Sequence, residues 1–303
     1  MHEADHLKRF LFLTRQALIG HGGSINHLCR HPTVPYILAS ASADNSVRLW
    51  NVVSSECLAV IGGDVGHKEQ VLCVDFSPCG QFLVTGSIDT AVKIWPISSC
   101  LQGERGKRIP FIHHPIFSAN YLFHSYIDSI KFMGNLLFVK STTSKIMFIE
   151  PVYEKKPIIS NFAFSEVQYI CDFVFTHGNL WFMRLSISPN GRFLAVGNEI
   201  GEIFVWDLRK FNMQNDQDDN VNLPILHCKF SIGSVIPVRE IIFCKEYLCF
   251  LIIALFWHLP MTRVFINFNC NKRPFYSFIF QAIFSLKSSH RRSCKMHWIL
   301  RFS

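Results

Sequence analysis

Apolar and polar residues alternate along Val71-Leu72-Cys73-Val74-Asp75-Phe76 with the two-residue period of a strand, and Ser77-Pro78-Cys79-Gly80 then supplies a turn. Residues 82–86 return as a second strand and residues 91–95, ending in Trp95, make a third. The same grammar appears twice more downstream. One unit comprises residues 126–132, a Gly134-Asn135 turn, 136–140 and 145–149, with Ile149 where the other units carry Trp. The other comprises residues 181–187, the turn Ser188-Pro189-Asn190-Gly191, 193–196 and 202–207. A further unit is expected to begin near residues 227–239, and residues 98–123 and 210–224 read as loops. Past Glu240 the alternation stops, and a Phe-rich sequence without helical or strand period takes over.

Two of these units carry a longer shared pattern. Gly20-His21, Ser42-Ala43-Asp44 and Val47-Arg48-Leu49-Trp50 are matched by Gly66-His67, Ser87-Ile88-Asp89 and Val92-Lys93-Ile94-Trp95. His21 to His67 is 46 residues and Trp50 to Trp95 is 45, the period of a four-stranded propeller blade with a Gly-His and Trp-Asp signature. The chain is therefore expected to be all-β, a WD-repeat β-propeller with about four to five recognisable blades over residues 19–240. Residues 1–18 stand as an unmatched N-terminal segment, and 241–303 as a tail of no assigned fold, one reading of which is translated non-coding sequence.

Composition changes this picture in one place. The 303 residues carry a net charge of +8, and the tail alone accounts for it, with nine Lys and Arg against Glu246 (9 − 1 = 8). Residues 1–240 are consequently neutral, so the basic balance that suggests nucleic acid or an acidic membrane describes the tail only. Arg291, Arg292 and Lys295 make a short basic run of the kind that is normally just solvated, so no direct DNA binding is expected. Residues 247–257 form an apolar run of about eleven, short of the roughly 20 that a membrane helix needs, and no membrane association is expected. Eleven scattered cysteines with no Cys-x-x-Cys pair fit a reducing compartment, and no His cluster has zinc-ligand spacing, so neither metal nor cofactor is expected.

His21, Ser42, Asp44 and Trp50 stand where WD repeats place a hydrogen-bonded chain, the imidazole bridging the turn carboxylate and a Ser that reaches the indole N–H. His67, Ser87, Asp89 and Trp95 repeat it. These residue types also make a nucleophilic triad, but a catalytic site is needed once whereas a brace recurs in every blade. With no Gly-x-Ser-x-Gly elbow or phosphate loop present, the chain is read as non-enzymatic.

Several stretches are more specific than a generic blade. They include Gly20-His21-Gly22-Gly23-Ser24-Ile25-Asn26, Ile61-Gly62-Gly63-Asp64-Val65-Gly66-His67, Ser125-Tyr126-Ile127-Asp128, Lys140-Ser141, Trp181-Phe182-Met183-Arg184, Ala195-Val196-Gly197-Asn198 and Val205-Trp206-Asp207-Leu208. In these, residues 19 to about 208 resemble the EED/extra-sex-combs family of Polycomb WD-repeat subunits. The resemblance implies a seven-bladed, nuclear, non-catalytic scaffold of Polycomb repressive complex 2. One face would hold an Enhancer-of-zeste type histone lysine methyltransferase, and the other would read the repressive trimethyl-lysine mark on a histone tail. By motif position it implies Trp181 and Phe182 as walls of a methyl-lysine cage, Phe182 standing where the family usually has Tyr. It likewise implies Tyr126 as a histone peptide contact and Arg184 as a structural or histone-peptide-contacting residue. The alternative is a generic WD adaptor, such as a substrate receptor of a cullin-type ubiquitin ligase, because Trp206-Asp207-Leu208-Arg209 resembles the Trp-Asp-x-Arg motif with Arg209 as the docking cation.

Overall fold

The computed structural model describes residues 17–101, 108–120, 122–152, 165–210, 224, 226–231, 237–241, 243, 250–254 and 262–266. In chain order, β1 (Ile25–Arg30), β2 (Ile37–Ser42), β3 (Val47–Asn51) and β4 (Glu56–Ile61) form an antiparallel meander. A second meander begins with β5 (Val71–Phe76), β6 (Phe82–Ser87) and β7 (Val92–Pro96). The segment expected to be a loop then supplies two edge strands. β8 (Phe111–Ile112) runs parallel to β4, and β9 (Phe117–Ala119) completes the second sheet against β7.

β10 (Ile127–Met133), β11 (Leu136–Ser141), β12 (Lys145–Pro151) and β13 (Val167–Val174) make the third sheet. β14 (Ser186–Ile187), β15 (Phe193–Gly197), β16 (Glu202–Asp207) and β17 (Leu226–Ser231) make the fourth. β17 corrects the expectation of a fifth unit near residues 227–239: it pairs with β16 as the outer strand of the fourth sheet. The strand expected over 181–187 is also corrected, since only Ser186–Ile187 pairs. Beyond Glu240, β18 (Phe250–Ala254) and β19 (Thr262–Ile266) form an antiparallel pair where no regular structure was expected. Arg291, Arg292, Lys295 and most of the N-terminal segment lie outside the described residues. No helix among the described residues is long and apolar enough to cross a membrane.

The sheets stack in sequence order, the first burying one apolar face and the second, third and fourth burying both. Ala39, Leu49 and Ala59 of the first meet Val74, Leu83 and Trp95 of the second. Val84, Ile94 and Phe117 on the second sheet's other face meet Ile130, Val139 and Ile149 of the third. Phe138, Phe148 and Phe173 then meet Leu194, Phe204 and Trp206 of the fourth, and Val238, Ile241 and Phe243 cover that sheet's far side. A strand buried on both faces reads as a near-continuous apolar run, which is why β5 and β15 are buried at every position. The contacts leave no slack: a Cβ added to Gly86 would lie 2.4 Å from Ile127 Cγ2 and 2.7 Å from Cys73 Sγ.

Candidate functional site

In the first two sheets the turn before the Trp strand is fixed by its Asp. Asp44 Oδ1 accepts from Ser46 N and Asp89 Oδ1 from Ala91 N, with Asn45 and Thr90 at φ 65° and 64° in the left-handed region. The other oxygen reaches across to the Gly-His loop, where Gly22 N and Lys68 N donate to Asp44 and Asp89. His21 Nδ1 lies 2.8 Å from Asp44 Oδ2, and His67 Nδ1 lies 3.0 Å from Asp89 Oδ2. Burial alone would raise the Asp44 carboxyl, but bonds from Ser46, His21 and Gly22 N–H together hold it at about 2. Asp89, against the same opposing effect of burial, is held well below the usual carboxylate range by His67 and the amides of Lys68 and Ala91.

The hydroxyl in each bridge is not the one expected. Trp50 Nε1 donates to Ser40 Oγ at 2.7 Å and Trp95 Nε1 to Thr85 Oγ1 at 2.9 Å, and the same oxygens sit 2.7 Å from His21 Nε2 and His67 Nε2. Ser42 and Ser87 instead accept the amides of Asp44 and Asp89. Register is the reason. Trp50 lies opposite Leu38 and Trp95 opposite Leu83, so Ser40 and Thr85 are the diagonal neighbours two residues along. Ser42 and Ser87 are four residues along, about 14 Å away at strand rise, beyond the reach of an indole.

Inner strands β1, β5 and β10 meet around a cavity of about 160 Å³ whose lining includes His27, Ser129, Lys131, Arg184 and Glu240. Asp75 ties the three strands together: it pairs with Lys131 Nζ at 2.8 Å, accepts from Phe132 N, and receives the Cys29 thiol at 3.4 Å. Burial foremost, with the Asp75 charge, pushes that thiol up to about 12. His27 Nδ1 accepts from Val74 N, so its remaining proton sits on Nε2. Burial, with Arg184 and Lys131 behind it, depresses the His27 pKa well below its ordinary value.

The folded chain therefore resists protonating His27 while the unfolded chain accepts a proton near the ordinary imidazole value. Stability is complete above that value and is lost as pH falls, by at most about 1.4 kcal/mol per pH unit from this one group. His27→Asn keeps an acceptor for Val74 N and removes the titration. Thermal unfolding from pH 7 to pH 5 is expected to show a shallower decline in Tm for the variant than for the parent chain.

Next to Arg184, one of the residues lining the cavity, lies an aromatic surface. Tyr126, just before β10, is 44% exposed and Trp181 is 42% exposed, with ring centroids 6.4 Å apart. Phe182 stacks beside Trp181 at 5.0 Å, and its ring also lies 5.3 Å from the Arg184 guanidinium carbon. Residues 181–185 leave strand geometry because their amides are captured elsewhere. Met183 N donates to Asp128 Oδ2, Arg184 N to Arg239 O and Leu185 N to Ser129 Oγ, while Phe182 sits at φ 61°. Asp128 is itself fully buried and paired with fully buried Lys140, both carboxylate oxygens lying 2.9 Å from Nζ.

Arg184, expected to be structural or to touch a peptide, is turned inward: its guanidinium donates to the carbonyls of Asn26, Leu72 and Asp128. The structure thus brings Tyr126, Trp181 and Phe182 together, keeps Arg184 beneath them, and holds the two His-Asp bridges apart in their own blades. Sequence reasoning missed Ser40, Thr85 and Glu240. For the first two a signal existed, a hydroxyl residue ten positions before each Trp. Arg209 lies at the opposite end from the aromatic surface, after β16, with its side chain 62% exposed and Asp207 held by Arg192 at 2.9 Å.

The family model described as WD domain, G-beta repeat matches residues 13–51 and 55–96, the first two sheets. The chain is 29% identical over 249 residues to Polycomb protein esc of Drosophila melanogaster, covering 75% of this chain and 55% of that protein. It is 34% identical over 208 residues to Polycomb group protein FIE1 of Zea mays, covering 64% of this chain and 43% of that protein. It thus spans about half the length of the curated relatives it matches. A crystal structure of the Chaetomium thermophilum polycomb repressive complex 2 contains a chain that superposes with a TM-score of 0.58 at 24% identity, covering 65% of this chain and 48% of that one, a likeness of fold.

Proposed function

We propose that this chain, a WD-repeat protein of the Polycomb esc and FIE kind, acts as a non-catalytic subunit of a nuclear Polycomb repressive complex. In that reading it contacts an Enhancer-of-zeste type histone lysine methyltransferase and contributes to recognition of a trimethyl-lysine histone tail that maintains gene silencing. The observation that carries the reading is the pair of exposed rings, Tyr126 and Trp181, held beside Phe182 and the Arg184 guanidinium. Aromatic faces attract a quaternary ammonium through the ring quadrupole, by about 0.5 to 2 kcal/mol per contact. Trp181 offers the larger ring, and the two are about equally exposed. Phe182 is sandwiched between Trp181 and Arg184, so its contribution is to support Trp181 and to form the inner wall. Without a phenol hydroxyl, Phe182 supplies that wall with no added hydrogen bond.

The test is a titration of trimethyl-lysine and unmodified histone peptides into the full chain. Trp181→Ala is expected to weaken trimethyl-lysine binding roughly tenfold or more, as loss of a central aromatic anchor does, with no change in the Tm. Equal affinity for both peptides in the parent chain would refute the recognition half of the reading. The complex-subunit half rests on co-purification, in which a methyltransferase partner supports it and an adaptor propeller of a ubiquitin ligase points to Arg209 instead.

A further inference from the structure

The inner strands of the first three sheets share an irregularity that repeats in register. β1 shifts register between Ile25 and His27, β5 between Val71 and Cys73, and β10 between Ile127 and Ser129. Each shift inserts one extra residue: Asn26, Leu72 and Asp128. A bulge of this kind disturbs the ladder around its extra residue. Each of these residues has a carbonyl close to the cavity, and a buried carbonyl needs a donor. Arg184 supplies it to all three. Nη2 lies 2.9 Å from Asn26 O, Nη1 and Nη2 each lie 3.1 Å from Leu72 O, and Nη1 also bonds Asp128 O. One planar, always charged fork therefore gathers a carbonyl from each of three neighbouring sheets, while its own backbone leads into the fourth.

The residue that does this sits two positions after Phe182 and three after Trp181. We infer that Arg184 is a positioning residue: by collecting the three bulge carbonyls it anchors the 181–185 loop on the cavity rim and sets Trp181 against Tyr126. Tyr126 precedes the third bulge by two residues, so guanidinium and bulge together fix both ends of the ring pair. The stacking of the Arg184 guanidinium on Phe182 holds the intervening ring in the same frame. Asp128 contributes twice to this anchor, through its carbonyl to Arg184 and through its carboxylate to Met183 N. The inference rests on the functional reading above for the meaning of the ring pair, but the geometry can be tested without any ligand.

The experiment compares the full chain with Arg184→Lys and Arg184→Gln. Its ligand-free readouts are the Trp181 indole N–H resonance, assigned with Trp181→Phe, and the nuclear Overhauser contact between the rings of Trp181 and Tyr126. Both variants are expected to stay folded, to shift the indole resonance and to lose the ring contact. Affinity for a trimethyl-lysine peptide is expected to fall roughly tenfold or more through misplacement alone. Lys keeps the charge but gathers its three donors on one nitrogen, so it does not span carbonyls that Nη1 and Nη2 reach separately and is not expected to rescue. Wild-type resonance, ring contact and affinity in Arg184→Lys would overturn the inference. So would outright unfolding of both variants, which would show that the guanidinium holds the sheets and not the loop. If the parent chain binds no such peptide, the functional reading fails while the resonance and ring contact still decide the role of Arg184.

Discussion

Replacing Lys140 by Met is expected to cost about 3 to 5 kcal/mol of folding stability, because it leaves the Asp128 carboxylate buried without a counter-charge. Both side chains are completely shielded from water, and Lys140 Nζ is the only cation bonded to that carboxylate among the described residues. The methionine fills nearly the same volume, so packing loss is a minor part of the effect. Denaturant unfolding reads the change as a drop in midpoint with an unaltered slope. The double replacement Lys140→Met with Asp128→Asn is expected to recover more than half of the loss. The introduced amide keeps an oxygen for Met183 N and carries no charge to strand. A double variant as unstable as the single one would show that the ammonium itself, and not the orphaned carboxylate, governs the site.

Thr85→Val is expected to destabilise by about 2 to 4 kcal/mol, whereas Ser87→Ala costs under about 1.5 kcal/mol. Valine matches threonine in shape, yet it leaves the Trp95 indole N–H and His67 Nε2 both buried and without their shared hydroxyl. Ser87 is itself buried, but it loses only bonds to the Asp89 amide and the Glu69 carbonyl, whose residues lie nearer the surface than Trp95 and His67. Comparing the two variants by thermal or denaturant unfolding assigns the bridge directly. Equal losses at the two positions would contradict the register argument.

That pair of residues also shows where sequence reading stopped. The Gly-His, Asp and Trp positions were legible because each belongs to a repeated spacing, and the third copy's Ile149 was legible as its substitute. The bridging hydroxyl was not, since several Ser and Thr residues lie near the turn and only register selects among them. Register also explains why the bridge is confined to two blades. The residues diagonal to Ile149 and Trp206 are Val139 and Val196, opposite whose neighbours Leu137 and Leu194 those side chains lie. An apolar contact replaces the hydrogen-bonded one there. The outer strands β8, β13 and β17 bury little, so their sequences show weak alternation, and β9, though buried, is only three residues long.

The aromatic site divides in the same way. Tyr126, Trp181 and Phe182 were singled out by motif, but a strand was expected through residues 181–187, and for Arg184 a structural role and a peptide contact stood open. Local pattern favoured the strand; the Asp128 and Ser129 side chains of β10 and the Arg239 carbonyl took the amides that would have formed it.

From sequence alone came the all-β class, the repeat period, the order of most inner strands and turns in three blades and the His-Asp-Trp positions of two. These follow from short-range periodicity and turn chemistry, which act between residues near in the chain. The tertiary structure alone decided which hydroxyl completes each bridge, that Arg184 points inward to Asn26, Leu72 and Asp128, and that Tyr126 meets Trp181. Those outcomes join residues 10 to 158 positions apart. They depend on how bulged strands align across separate sheets, which no local pattern encodes.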